Sequence, residues 1–177
     1  MSEETQDFDR KSLRQVTGGK ADFGAIAADC VCFANASGGR LLIGMEDGEQ
    51  LPPPSQRIEQ AVLDKLRKRI GELTVNVQAA PQIVTAANGG EYIELSIARA
   101  MGVASTSDGR YFLRVGDTCQ PVRGDEVMHL LNDRPSVPWE GLTTLAVPVA
   151  AADAGKMASL LASLRASDRV KDSVREE

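Results

Sequence analysis

The chain has 177 residues, of which 42% are hydrophobic, 25% are charged and only 4% are aromatic, and its formal net charge is −5. This length suits one ordinary domain with a short appendage, and its aliphatic content is sufficient for a sizeable core. Phosphate neutralisation supplies most of the affinity of a general nucleic-acid binder, so an acidic chain needs a local basic surface for that role. No apolar run is long enough for a membrane span or a secretion signal, and we expect no membrane association.

The spacing of the cysteines indicates a reducing compartment. Cys30 and Cys32 lie two apart in a predicted helix, and side chains at that spacing point to different helix faces. We therefore expect neither a disulfide framework nor a metal pair, and the sequence predicts a cytoplasmic protein.

The first part of the chain predicts a helix that leads directly into a strand. The polar segment 4–12 is typical of a disordered tail or of a short edge strand. Apolar residues then recur at spacings of three and four from Asp22, a suitable N-cap, to about Asn35. Two glycines at 38 and 39 end this helix, and the continuous apolar run 41–43 predicts a strand buried on both faces.

The rest of the chain predicts a second long helix, a hairpin, a further strand and two more helices. Asn88-Gly-Gly is a good hairpin signal. His129 is predicted to be a packing residue, and Trp139 to hold a linker to the domain surface. The expected ranges are helix 57–73, strands 74–85, 91–98 and 110–115, helix 125–131, linker 134–153 and helix 154–177. This pattern predicts an α+β fold in which a mixed or antiparallel sheet packs against helices.

Two kinds of charged residue are candidates for chemistry. Glu46-Asp47-Gly48 follows the buried strand, either as a polar turn or as a carboxylate that could hold a hard cation together with Glu4 and Asp7. Clustered carboxylates of this kind bind Mg²⁺ or Mn²⁺ for phosphodiester cleavage. Arg114 lies in a predicted strand, where it is either a structural partner for an acid or a phosphate contact.

Three motifs resemble one family. Glu4-Thr-Gln-Asp-Phe-Asp-Arg resembles a Glu-x-x-Glu-Phe-Lys opening. Phe33-Ala-Asn-Ala-Ser-Gly-Gly-Arg-Leu-Leu-Ile-Gly-Met-Glu-Asp-Gly is similar to Phe-Ala-Asn-x-x-Gly-Gly-x-Leu-x-Ile-Gly-x-x-Asp-x-Gly. Tyr111-Phe-Leu-Arg-Val-Gly-Asp-Thr resembles Tyr-x-Arg-x-Gly-Ser-x-Thr. Together they resemble the Schlafen/AlbA-like divergent domain, described as a DNA-binding module of bacterial regulators, over about residues 3–133.

The resemblance implies an α/β module that commonly precedes a further region, so the chain is expected to be a piece of a longer protein. In eukaryotic relatives, which cleave RNA, acids stand at the positions of Asp7 and Asp47, and a further acid falls near Glu4. The chain departs from the family pattern at Asp9, where a lysine is usual, and at Asp117, where a serine is usual. The zinc-binding cysteines and histidines of the eukaryotic relatives are absent from the sequence.

Three functions follow as hypotheses. The first, which we favour, is a DNA-binding regulatory domain of the transcriptional-regulator type that binds DNA or RNA without turnover. The second is a metal-dependent endoribonuclease that acts on structured RNA, with Glu4, Asp7 and Asp47 as catalytic acids and Asp7 and Asp47 as ligands of Mg²⁺ or Mn²⁺. The third is a non-catalytic oligomerisation module, such as a homodimer. The residues expected to contact phosphates in the first are Arg10, Lys11, Arg40, Arg110 and Arg114.

Overall fold

A computed structural model describes residues 5–46, 48–134 and 153–166 of the chain. The chain forms two compact units, Met1–Trp139 and Glu140–Glu177. In the second unit, helix α4 (Ala154–Arg165) exposes Met157, Leu160 and Leu161. The residues expected to form the linker and the charged end lie outside the described part from 135 to 152 and from 167 onwards, as does Trp139.

The first unit is built around a four-stranded mixed sheet. Its strands are β1 (Phe8–Lys11), β2 (Gly39–Ile43), β4 (Ala79–Thr85) and β5 (Glu91–Ile97), in the order β1-β2-β5-β4. Strand β1 runs parallel to β2, whereas β5 is antiparallel to both of its neighbours. The segment 4–12 thus contains an edge strand, the second of the two predicted alternatives.

Two helices contribute to one core with one face of this sheet. Helix α1 (Phe23–Asn35) begins at Asp22, whose carboxylate accepts a hydrogen bond from the Ala25 N–H, and helix α2 spans Gln60–Leu73. Helix α2 begins three residues after the predicted start at residue 57, because the Ile58 N–H donates to the Glu91 carboxylate and the chain stays extended up to Glu59. The buried strand residues of this core are Leu41, Ile43, Ile93, Leu95 and Ile97.

Short elements complete the unit. Two-stranded sheets pair β3 (Thr74–Val75) with β6 (Ser105–Thr106), and β7 (Tyr111–Val115) with β8 (Thr118–Val122). Helix α3 (Glu126–Asn132) follows. The packing prediction for His129 is wrong, because its side chain is exposed and lines a cleft of about 430 Å³ beside β7 and β8. The predicted α+β class is confirmed.

The glycine pair between α1 and β2 has the predicted role of a sharp joint. Gly38 has a φ of +81° and donates its N–H to the Phe33 carbonyl at 2.9 Å. A Cβ on Gly39 would lie 2.5 Å from the Phe33 ring and 2.7 Å from the Asp7 carbonyl. Both positions therefore require glycine, and the close approach lets β1 lie directly beside β2.

The expectation that the cysteines form no disulfide is wrong. Cys32 of α1 is bonded to Cys119 of β8, with 5.9 Å between their Cα atoms and a sequence separation of 87, and Cys30 is free and buried. The spacing of Cys30 and Cys32 carries no information about so distant a partner. Consequently the cysteines do not support the cytoplasmic prediction, which stays a prediction. Within the described residues, no helix is long and apolar enough to cross a membrane.

Candidate nucleic-acid interface

The four-stranded sheet has one face turned towards the helices and one turned away. Side chains alternate along a strand, so the residues that flank the core residues Leu41 and Ile43 point to the opposite face. On this opposite face, Phe8 of β1 stands directly across from Arg40 of β2, and Arg10 is the next outward residue of β1. We call the surface formed by Phe8, Arg10 and Arg40 the Phe8 face.

The two arginines of the Phe8 face lie over one aromatic ring. The guanidinium carbon of Arg10 is 5.2 Å from the centroid of the Phe8 ring, and that of Arg40 is 5.9 Å from it. Arg40 is exposed, whereas Arg10 is half-buried and donates to the Glu49 carbonyl at 3.5 Å. Contacts between cations and a ring hold both guanidinium groups close to the sheet surface.

The rest of this sheet face mixes polar residues with Leu42, Tyr92 and Val84, and it carries one carboxylate. Ser96 stands across from Arg40, and Glu94 stands across from Leu42. The Glu94 carboxylate accepts a hydrogen bond from Gln82 at 3.4 Å. Within the four strands, this face therefore carries two positive charges and one negative charge, a small local excess of positive charge on an acidic chain.

The opposite face of β1 joins a buried network of four charges. Lys11 Nζ lies 3.0 Å from an Asp9 carboxylate oxygen and 3.7 Å from one of Asp29, and Arg114 Nη1 lies 3.5 Å from Asp9. The side chains of Asp9 and Arg114 are almost completely buried. Asp9, where the family pattern has lysine, is thus an internal partner for cations and adds no charge to the Phe8 face.

Arg114 is a structural partner for an acid, the first of its two predicted roles. Its Nε and Nη2 donate to the Thr5 carbonyl at 3.0 and 2.9 Å, and Nη2 also donates to the Phe8 carbonyl at 3.1 Å. Its guanidinium carbon lies 4.5 Å from the centroid of the Phe33 ring. Since only 1% of the side chain is exposed, Arg114 ties β1 to β7 and does not reach a ligand on the sheet surface.

Asp29 is the strained member of the network. The pKa of Asp29 is raised to about 6, chiefly by burial and also by the neighbouring Asp9, while Lys11 and Arg114 act in the opposite direction. A carboxyl with such a pKa is partly protonated near pH 6, so the network changes its charge close to neutrality.

Asn35, in the signature motif, is also structural. Its buried side-chain amide donates to the carbonyls of Ala104 and Phe112 at 2.8 and 2.9 Å, and its oxygen accepts from the Ala104 N–H at 2.8 Å. Arg134, which no sequence pattern had indicated, is buried next to it and donates to the carbonyls of Asn35 and Ala100. The motif therefore anchors the end of α1 to the loop before β6 and to strand β7.

Of the remaining predicted site residues, Arg110 and Asp7 lie in the described part of the chain. Arg110 is exposed at the start of the β7–β8 sheet and pairs with Asp108 at 2.9 Å. Glu4 and Asp47 lie outside the described residues. Asp7 is exposed, and a hydrogen bond from the Thr5 hydroxyl, together with smaller effects that include the charge of Arg40, lowers its pKa. Among residues that the structure describes, no three His, Cys, Asp or Glu side chains are placed to hold a metal.

The chain belongs to the Schlafen, AlbA_2 family, whose sequence profile matches residues 4–123. The resemblance seen in the three motifs is thereby confirmed. Membership suggests a role related to nucleic acid.

Comparison with solved structures finds the crystal structure of the DIP2311 protein from Corynebacterium diphtheriae, which is 25% identical with a TM-score of 0.46. The match covers 66% of this chain and 25% of that protein, so the chain spans about a quarter of its length. No curated protein matches the chain.

Proposed function

We propose that this domain is a nucleic-acid-binding regulatory module of the transcriptional-regulator type, which binds through the Phe8 face without turnover. The observation that carries the proposal is the placement of Arg10 and Arg40 over Phe8 on the sheet face that the helices leave uncovered. The regulatory role rests on the family alone.

The chemistry of the Phe8 face suits phosphate. A guanidinium presents a rigid fork of donors that matches the oxygens of a phosphate group, and it stays charged at every physiological pH. Phe8 orients both forks and prevents them from lying in random directions. The polar hydroxyl of Ser96, across the strand from Arg40, offers a further donor to the same backbone.

The small number of cations on the Phe8 face determines how steeply the binding constant should depend on salt concentration. Each neutralised phosphate lowers the logarithm of the binding constant by about 0.7 to 0.9 for every tenfold rise in salt. Two arginines therefore predict a shallow slope of about −1.4 to −1.8. Slopes of −5 or steeper would require a broad basic surface and would contradict the interface described above.

The test is a binding titration of fluorescein-labelled DNA and RNA oligonucleotides, followed by anisotropy at several salt concentrations. We expect Arg40→Gln and Arg10→Gln each to weaken binding. Each should also reduce the magnitude of the salt slope by about 0.7 to 0.9, the contribution of one phosphate contact. The matched control is Arg67→Gln, which removes the same charge from an exposed position on α2, where Arg67 pairs with Asp64. Equal losses for Arg40→Gln and Arg67→Gln would show that overall charge, and not the Phe8 face, determines binding.

Parallel samples with Mn²⁺ examine the nuclease hypothesis on the same oligonucleotides and on tRNA. Cleavage products that Asp7→Asn or Asp47→Asn abolishes would replace the proposed binding role with catalysis. Unchanged oligonucleotides that still bind support the proposed function.

A further inference from the structure

We infer that the Phe8 face selects single-stranded nucleic acid, with unpaired bases stacking on Phe8 and on the guanidinium planes beside it. This inference rests on the proposed function and goes further by naming the class of ligand. Three independent properties of the sheet lead to it: its width, its aromatic residues and its charge.

The width of the sheet disfavours a duplex. Neighbouring strands lie about 4.8 Å apart, so the axes of the outer strands β1 and β4 are separated by about 14 Å before side chains are added. The major groove of B-DNA is about 12 Å wide and admits one helix or a two-stranded ribbon. A four-stranded sheet presented by its face therefore cannot enter the groove, and it could touch a duplex only along its backbone.

The aromatic residues favour exposed bases. Phe8 is half-buried and lies outside the core cluster, and the guanidinium groups of Arg10 and Arg40 lie over its ring and extend its flat surface. Tyr92 of β5 is a second half-buried aromatic on the same face, because it shares the alternation of Glu94 and Ser96. Aromatic rings on an open sheet, and arginine planes next to them, are platforms on which unpaired bases stack.

The charge of the Phe8 face also favours a single strand over a duplex. Duplex DNA carries one negative charge for about every 1.7 Å of its axis, which an acidic chain repels unless many cations compensate. The Phe8 face supplies two arginines and holds Glu94 close by. Stacking adds affinity without charge, and a single strand makes its bases available for it.

The test compares one 20-nucleotide sequence as single-stranded DNA, single-stranded RNA and DNA duplex, by anisotropy at low salt. We expect at least one of the two single strands to bind about tenfold more tightly than the duplex. Phe8→Leu should weaken binding of that strand about fivefold or more and leave the salt slope unchanged, since it removes a stacking surface and no charge. Phe112→Leu is the matched control, because Phe112 is also half-buried beside an arginine but belongs to β7.

A second measurement makes the test independent of the variant's stability. An oligonucleotide that contains 2-aminopurine should change its fluorescence on binding to the wild-type chain if a base stacks on the sheet. Equal affinity for single strand and duplex, together with no fluorescence change, would overturn the inference while the proposed function stands. Absence of binding to all three ligands would instead remove the proposed function itself.

Discussion

Arg114→Met is the substitution that most sharply separates a structural arginine from a phosphate contact. Methionine keeps much of the apolar volume next to Phe33 but removes the guanidinium. The carbonyls of Thr5 and Phe8 then lose the guanidinium but keep the N–H groups of Phe8 and Thr5 as donors, at 3.4 and 3.0 Å, and Asp9 keeps Lys11 at 3.0 Å as its remaining cation. The change therefore removes one of the four charges of the buried network and leaves the other three in place.

The expected cost can be estimated from these contacts. Removing one partner of a buried ion pair costs about 3–5 kcal/mol. Because Lys11 still compensates Asp9, we expect the lower end, about 3 kcal/mol of unfolding free energy. For a unit of this size that corresponds to a fall in Tm of about 12 °C.

Urea unfolding followed by circular dichroism measures this loss, and a cycle with Asp9→Asn measures the coupling between the two side chains. At a temperature where the variant is fully folded, its affinity for an oligonucleotide should stay within about twofold of the wild type, since Arg114 is buried. A loss of less than about 1 kcal/mol with greatly weakened binding would refute the structural role and restore Arg114 as a phosphate contact.

Three further predictions concern stability. The pKa of Asp29 is raised from 3.8 to about 6, so the folded state binds this proton more tightly and stability declines as the pH rises from about 4 to 6. Asp29→Asn should abolish that decline and stabilise the chain at pH 7.5 by about 2 kcal/mol. Urea unfolding curves at pH 4.5 and 7.5 measure both effects, and a variant whose stability depends on pH as the wild type does would contradict the prediction. Asn35→Ala removes the three hydrogen bonds of the buried side-chain amide, and we expect a loss of about 3 kcal/mol of unfolding free energy in urea. A loss below about 1 kcal/mol would show that Asn35 does not anchor the end of α1. Gly39→Ala should cost about 2 kcal/mol of unfolding free energy, because its Cβ would overlap the Phe33 ring. The control Gly71→Ala should stabilise the chain by about 0.5–1 kcal/mol, because a Cβ at this position in α2 would have no neighbouring atom within 4 Å. Calorimetric Tm values that moved in the same direction for both variants would contradict the close approach at Gly39.

Local signals in the sequence were sufficient for much of the fold. The spacing of apolar residues and the N-cap at Asp22 predicted α1, and the glycine pair predicted the joint to β2, because these features depend on neighbours within a few residues. The short strands β6 and β8 were missed: β6 has two residues, and β8 contains Pro121 in a polar run, so neither carries a strand pattern.

The candidate site depended on non-local information that the sequence does not display. Arg40 and Arg114 both stand in strands, yet one is exposed beside Phe8 and the other is buried against Asp9. Which face each residue occupies is decided by the register of strands that are far apart in the chain. The same holds for the bond between Cys32 and Cys119, which connects α1 to β8.

Mapping of the bound surface by NMR tests the Phe8 face most directly. A ¹⁵N-labelled chain would be titrated with a single-stranded oligonucleotide while backbone amide shifts are recorded. We predict that the largest changes occur at Phe8, Arg10, Arg40 and Ser96, with little change along α2. Changes concentrated on α2 or around Arg110, with β1 and β2 unaffected, would contradict the proposed interface.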